Sequence, residues 1–199
     1  REQQTKVKIS LDGLQEHQIS LSVPGKFNVY NAAAAFLAAR EVCIGIDDQL
    51  VAALKEYTGC KRRFEKVAEV HDILVFDDYA HHPTEISATI EAVREWFPGR
   101  RIVAAFQPHT YTRTKTLFSE FAESFHGVGK VGFMDIYAAA REKVDPNVSS
   151  KKLAEEAVEC GVDAAYTGGP EGTVGWLLKA SRPGDVVLIL GAGDIFLII

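Results

Sequence analysis

Hydrophobic positions follow two rhythms along this chain. Near the amino end Val7 and Ile9 alternate with Lys6, Lys8 and Ser10, and beyond Asp12-Gly13 the residues Ile19, Leu21 and Val23 alternate again. Successive side chains of a strand point to opposite faces, so this period of two predicts two half-buried strands, and Asp-Gly between them predicts a hairpin turn. A lone hairpin is marginal in water, so these strands are expected to belong to a larger sheet. Pro24-Gly25 breaks the alternation. A helix is predicted over residues 28–42, where Ala32 to Ala35 favour it, and a second over Asp47 to Tyr57, with Leu50, Ala53, Leu54 and Tyr57 at helical spacing.

From residue 60 onward the rhythm changes. Short apolar runs at Ile73–Phe76, Ile102–Phe106, Val131–Met134, Asp163–Tyr166 and Val186–Leu190 read as strands. Helical stripes lie between them: Ile86, Ile90, Val93 and Phe97 behind Pro83; Leu117, Phe118, Phe121 and Phe125 in a helix over Thr114–Phe125; Leu153, Ala157 and Val158; then Val174, Leu177 and Leu178. Apolar strands alternating with helices imply a parallel sheet covered on both faces. The expected fold class is α/β, a Rossmann-like, mostly parallel sheet with helices on both faces, preceded by a hairpin and two helices. Two domains are expected, residues 1–58 and 59–199, hinged near Thr58-Gly59-Cys60. Gly191 to Asp194 is expected to open a further helix, and both ends of the chain suggest a longer protein.

In open α/β sheets ligands bind beyond the carboxyl ends of the strands. The chemically unusual residues fall there. Asp77-Asp78-Tyr79-Ala80-His81-His82 follows the first strand of the parallel set, Gln107 to Arg113 the second, Asp135 the third and Gly191 to Asp194 the last. A segment that needed only to turn would use Gly, Asn or Ser. The Asp77–His82 elbow admits three readings: a metal site, caps for the helix behind Pro83, or a ligand wall. It lacks the His spacings of known zinc motifs, so no metal ligand is assigned. Gly191-x-Gly193 is half of a dinucleotide fingerprint, with backbone N–H groups suited to an anion. Lys61-Arg62-Arg63 is either solvated charge or a phosphate clamp. Asn28 and Asn31 share one helix face, as a cap with a tolerated neighbour or as ligand amides.

Composition narrows the picture. The 199 residues are 47% hydrophobic and 25% charged, with net charge −5, which argues against a general nucleic-acid or membrane-surface binder. Cys43, Cys60 and Cys160 have no metal or redox spacing and are expected to be buried small hydrophobes in a reducing, cytoplasmic compartment. No Walker A loop is present.

Taken together, Val23–Ala35 with its Asn-x-x-Asn, Arg62-Arg63-Phe64-Glu65, Asp77–Glu85, Phe106–Thr114 and Leu190–Ile195 resemble the Mur ligases of peptidoglycan precursor synthesis, in order over nearly the whole chain. Gln107-Pro108-His109-Thr110-Tyr111-Thr112-Arg113-Thr114 favours the member joining L-alanine to UDP-N-acetylmuramate over the muropeptide-recycling tripeptide ligase. The remaining alternative is a free-standing nucleotide- or amino-acid-binding module. The resemblance implies a bacterial, cytoplasmic ATP-dependent ligase acting through an acyl phosphate. Residues 1–58 would be the last part of its central ATPase domain, and the chain alone is expected to be inactive. ATP and Mg²⁺ are the implied cofactors, the metal held mainly outside this chain. Implied for the nucleotide are Asn28, Asn31, Arg63 and Asp78; for the substrates Tyr79, His82, His109, Arg113, Gly191 and Asp194; at the reacting atoms, Arg63 and His82.

Overall fold

The computed structural model describes residues 4–10, 16–139 and 142–199. The chain divides into two compact units, Arg1–Cys60 and Lys61–Ile199.

In the first unit β1 (Thr5–Ile9) and β2 (His17–Leu21) pair antiparallel, Val7 opposite Ile19. The expected Asp12-Gly13 turn lies outside the described residues. Helices α1 (Lys26–Val42) and α2 (Asp47–Glu56) follow. Ile9, Ile19, Leu21 and Val23 pack with Ala32 and Phe36 of α1, so the alternating positions form the unit's core. His17 lies against the Phe36 ring and within 3.1 Å of the Asp47 carboxylate, which Arg40 also approaches. Cys43 and Cys60 are exposed rather than buried, and Cys160 is half-buried. Cys43 sits at the cap ending α1, and the Cys60 thiol lies 3.1 Å from the Tyr57 hydroxyl, both outside any apolar packing.

The second unit is one six-stranded sheet in the order β3-β4-β8-β5-β6-β7. Its strands are β3 (Glu65–Val70), β4 (Ile73–Asp78), β5 (Ile102–Phe106), β6 (Lys130–Met134), β7 (Ala164–Gly168) and β8 (Val186–Leu190). The last five are parallel, as the buried runs imply; β3 joins β4 antiparallel at one edge. No strand was expected at Glu65–Val70. Its hairpin turns through His71 and Asp72, both at positive φ (49° and 62°), where Asn-Gly is the usual signature.

Alternation sorts the strand residues onto two faces. Leu74, Phe76, Ala104, Phe106, Leu188 and Leu190 meet α3 (Pro83–Trp96), α5 (Phe118–Glu123) and α6 (Ser150–Glu159). Val75, Val103, Ala105, Val187 and Ile189 face α7 (Pro170–Ala180) and the 3₁₀ turn Ile195–Ile198. The helix expected after Gly191 is only that turn. The single helix expected over Thr114–Phe125 is two, α4 (Tyr111–Thr116) and α5, parted at Leu117 (φ −113°, ψ 32°). The hydroxyls of Thr114 and Thr116 bond back to the carbonyls of Thr110 and Thr112, a competition that loosens helices.

Candidate functional site

Parallel registration fixes the height of the site. Asp78 of β4 and Phe106 of β5 both pair with Leu190 of β8, so three chains leave the sheet at one level. Asp77 and Asp78 are the last residues of β4, not part of the turn, and are 3% and 4% exposed.

Asp78 uses both oxygens on backbone donors: Phe64 N–H at 2.9 Å and Ala80 N–H at 2.7 Å. Burial raises its carboxyl above the ordinary aspartate value against the pull of these bonds and of Arg63. Its geometry pins the Arg62–Phe64 loop. Arg62 and Phe64 both stand at positive φ (56° and 51°) in that loop. The Arg62 guanidinium donates to Asp77 Oδ2 (3.1 Å) and to the Gly191 carbonyl (2.7 Å), and lies over the Tyr79 and Phe196 rings. Burial raises Asp77 as well, opposed by that guanidinium. Arg63 points elsewhere: it is exposed, its only ring neighbour is Tyr79, and its guanidinium makes no hydrogen bond among the described residues. Of two adjacent arginines, Arg62 is committed to structure and Arg63 is not.

The adjacent histidines divide in the same way. His82 precedes Pro83 and caps α3: its Nδ1 accepts from Thr84 N–H (3.3 Å), while Glu85 accepts from the His81 and His82 N–H groups. An accepting Nδ1 places the neutral ring's proton on Nε2. His81 turns to the site, its Nδ1 donating to the Tyr79 carbonyl and its ring edge-on to His109 at 6.0 Å. The residue before a Pro that opens a helix is its N-cap, so that division was available from the sequence.

Beyond β5, Gln107 is buried and ties the turn after β8: its Nε2 donates to Asp194 Oδ1 (2.7 Å) and its Oε1 accepts from Ile195 N–H (3.0 Å). A side chain at Gly193 would collide with that amide oxygen and with Tyr137, which is why glycine stands there. The Gly191 N–H donates to the Asp78 carbonyl, so it is already used. His109 stacks on Tyr137 at 5.4 Å, and its Nδ1 is buried with no hydrogen-bond partner among the described residues. Arg113 Nη1 is likewise buried and unpartnered. Burial, then Arg113 and His81, lower the His109 pKa below its ordinary 6.5, with Glu142 pulling the other way. Its ring is therefore neutral at pH 7.

The structure thus gathers Tyr79, His81, His109 and Arg113, with Gly191 and Asp194, at one edge of the second unit. Asn28 and Asn31 lie in the first. There Asn28 Nδ2 donates to the Pro24 carbonyl (2.7 Å) and its oxygen accepts from Asn31 (3.4 Å), leaving the exposed Asn31 oxygen uncommitted. Both line a cavity of about 220 Å³ with Leu21, Leu54 and Tyr57. Among the described residues no three His, Cys, Asp or Glu side chains cluster as metal ligands, and no helix is long and apolar enough to cross a membrane.

Known proteins resemble this chain in sequence and in fold. The family model for the Mur ligase glutamate ligase domain matches residues 62–193. A UDP-N-acetylmuramate–L-alanine ligase of Caldanaerobacter subterraneus subsp. tengcongensis is 46% identical over 177 residues, 88% of this chain and 38% of that protein. The chain thus spans well under half the length of the curated relatives it matches. The crystal structure of UDP-N-acetylmuramate-alanine ligase from Thermotoga maritima superposes with a TM-score of 0.81 at 27% identity, over 99% of this chain and 41% of that one. A MurF ligase from the same organism, in complex with ADP, has a TM-score of 0.67 at 20% identity over 98% of this chain and 42% of that one, a likeness of fold.

Proposed function

The chain belongs to the Mur ligase family, and from that premise we propose that it is the carboxyl-terminal part of an ATP-dependent ligase joining L-alanine to UDP-N-acetylmuramate. The observation that carries this reading is the pair of buried, unpartnered nitrogens, His109 Nδ1 and Arg113 Nη1, on one short segment at the sheet edge. A buried cationic donor without an acceptor calls for an anion. A guanidinium matches a carboxylate with parallel N–H···O bonds, and an amino acid carries that group. Similarity to alanine-adding ligases supports L-alanine over a tripeptide.

In the proposed reaction ATP transfers its γ-phosphoryl group to the muramate carboxylate and leaves as ADP. The alanine ammonium loses one proton to solvent; the free amine attacks the acyl carbon, phosphate departs with the bonding pair and takes up the second N–H proton, and an amide remains. Most of the acceleration expected of this chain is positioning. Arg113 holds the alanine carboxylate beside the neutral His109 ring, with Tyr79 and His81 flanking it and the exposed His82 ring, on the cap of α3, one residue further along. The turn from Gly191 to Asp194, tied by Gln107, shapes the floor. Arg63 fits phosphates, being exposed and unbonded, and would offset phosphoryl charge. Asp78 acts for the nucleotide by fixing the loop that carries Arg63. In the first unit, the Asn31 amide and the adjoining cavity suit an adenine edge. Mg²⁺ would be held by the phosphates and by residues outside this chain.

The test uses the full-length ligase containing this segment. Arg113→Met should raise the KM for L-alanine about tenfold to a hundredfold, the worth of one charge-assisted bond, and leave the KM for ATP unchanged. An unaltered KM for L-alanine overturns the reading.

A further inference from the structure

His109 and Arg113 do not hold their own positions. After β6, Tyr137 and Glu142 lie outside the sheet's strands yet bond repeatedly to this stretch. Tyr137 pairs with His109 as an isolated parallel bridge: Thr110 N–H donates to the Tyr137 carbonyl and Tyr137 N–H to the Pro108 carbonyl, each at 2.9 Å. Glu142 then accepts three bonds, from Tyr111 N–H (2.6 Å), Thr112 N–H (2.8 Å) and the Thr112 hydroxyl (2.6 Å). Between these two grips Thr110 stands at φ 70°, ψ 140°, a conformation almost closed to a β-branched residue. Such strain persists only where the surroundings over-determine it. α4 already has a cap of its own in the Thr110 hydroxyl, which accepts from Arg113 N–H. The Glu142 bonds therefore serve to tie the two segments together.

We propose that Glu142 and Tyr137 are positioning residues, a clasp that holds the Thr110 turn in its strained form and thereby sets where His109 and Arg113 present their unpartnered nitrogens. The identity of the ligand so presented rests on the proposed function; the clasp does not. Its carboxylate stays ionised: burial opposes this, but the Thr112 hydroxyl and the two amides hold Glu142 below the ordinary glutamate value.

The experiment is an NMR titration of the His109 ring in the 199-residue chain against Glu142→Gln. The groups facing His109 are Arg113 from α4, His81 from the elbow before α3, and Glu142 and Tyr137 from the clasp. In Glu142→Gln an amide nitrogen replaces one acceptor and confronts N–H donors. If the clasp positions, the ring leaves its buried stack and its midpoint rises toward 6.5. If Glu142 is only a nearby charge, losing that anion leaves the midpoint unmoved or lowers it further, and the proposal fails. Retained amide protection of Leu188 and Ile189 shows that the sheet is intact, and the Tyr111 and Thr112 amides should exchange about tenfold faster. Thr112→Val, which deletes one of the three donors, should shift the midpoint the same way by less; this milder variant decides the matter should Glu142→Gln unfold. L-alanine added to the native chain should perturb the His109 signals, and should not in Glu142→Gln. No perturbation in either would count against the ligand reading and leave the clasp to stand or fall by the titration.

Discussion

The segments that follow β4 and β5 leave the sheet at the same height, and they treat their polar groups in opposite ways. At the end of β4 and just beyond it the acids are absorbed by the fold: Asp78 takes two backbone amides, Asp77 takes Arg62, and Glu85 with His82 closes the start of α3. Among the described residues the one buried side-chain atom left over there is an acceptor, Asp77 Oδ1, on a carboxyl whose burial favours its protonated form. After β5 the remainder is Arg113 Nη1, beside His109 Nδ1. A cluster of titratable residues is thus no measure of function by itself. What separates framework from binding surface is whether the buried groups have already been answered within the chain.

The sharpest way to break this comparison is Asp78→Ala. It strands two buried N–H groups, and at 1–3 kcal/mol each the second unit should lose about 3 kcal/mol in urea denaturation. A loss below about 1 kcal/mol would make Asp78 available for a ligand after all. Gly193→Ala should cost about 2 kcal/mol, the scale of overpacking, because its methyl group meets the Gln107 amide and Tyr137. Arg113→Met should change stability by no more than about 0.5 kcal/mol while abolishing any L-alanine response, since Nη1 has no hydrogen-bond partner among the described residues.

The smallest effect is the most discriminating, because the two elbows respond to pH with opposite sign. Asp77 and Asp78 have raised folded pKa values, so their contribution is present below 3.8 and is lost as pH rises through the raised values. His109 has a lowered one, so its contribution is present above 6.5 and is lost as pH falls through the folded value. His109→Phe should flatten the slope of unfolding free energy just below pH 6.5 and leave the slope above pH 3.8 intact. A flattened slope in both ranges would show the elbows to be one coupled site.

Much of this was legible in the sequence. The inner parallel strands announce themselves because burial on both faces requires apolar runs, whereas β7, at the edge, is only part-buried, and the carboxyl-edge rule then collects Asp78, His109 and Arg113. The antiparallel edge strand did not, because Glu65-Lys66-Val67-Ala68-Glu69-Val70 owes its place to backbone bonds with β4 rather than to hydrophobic content. Nor could the sequence separate Arg62 from Arg63, whose fates diverge through positive φ angles on either side. Glu142 was invisible for a plainer reason: a carboxylate that serves amides thirty residues away leaves no local pattern.

The strand order carries one more consequence, for how the domain comes into being. β8 is the last strand in sequence and lies in the middle of the sheet, between β4 and β5, with all five residues buried. Until it is inserted, β4 and β5 both present open edges of backbone donors and acceptors, the surfaces on which chains associate wrongly. A nascent chain that has made everything up to α7 therefore holds two half-sheets and no domain. Folding must wait for the most distant pairing, which is a slow step by loop-closure entropy alone. A defect in β8 such as Leu188→Ala should thus lower the yield of folded protein more than its effect on the stability of the finished domain implies.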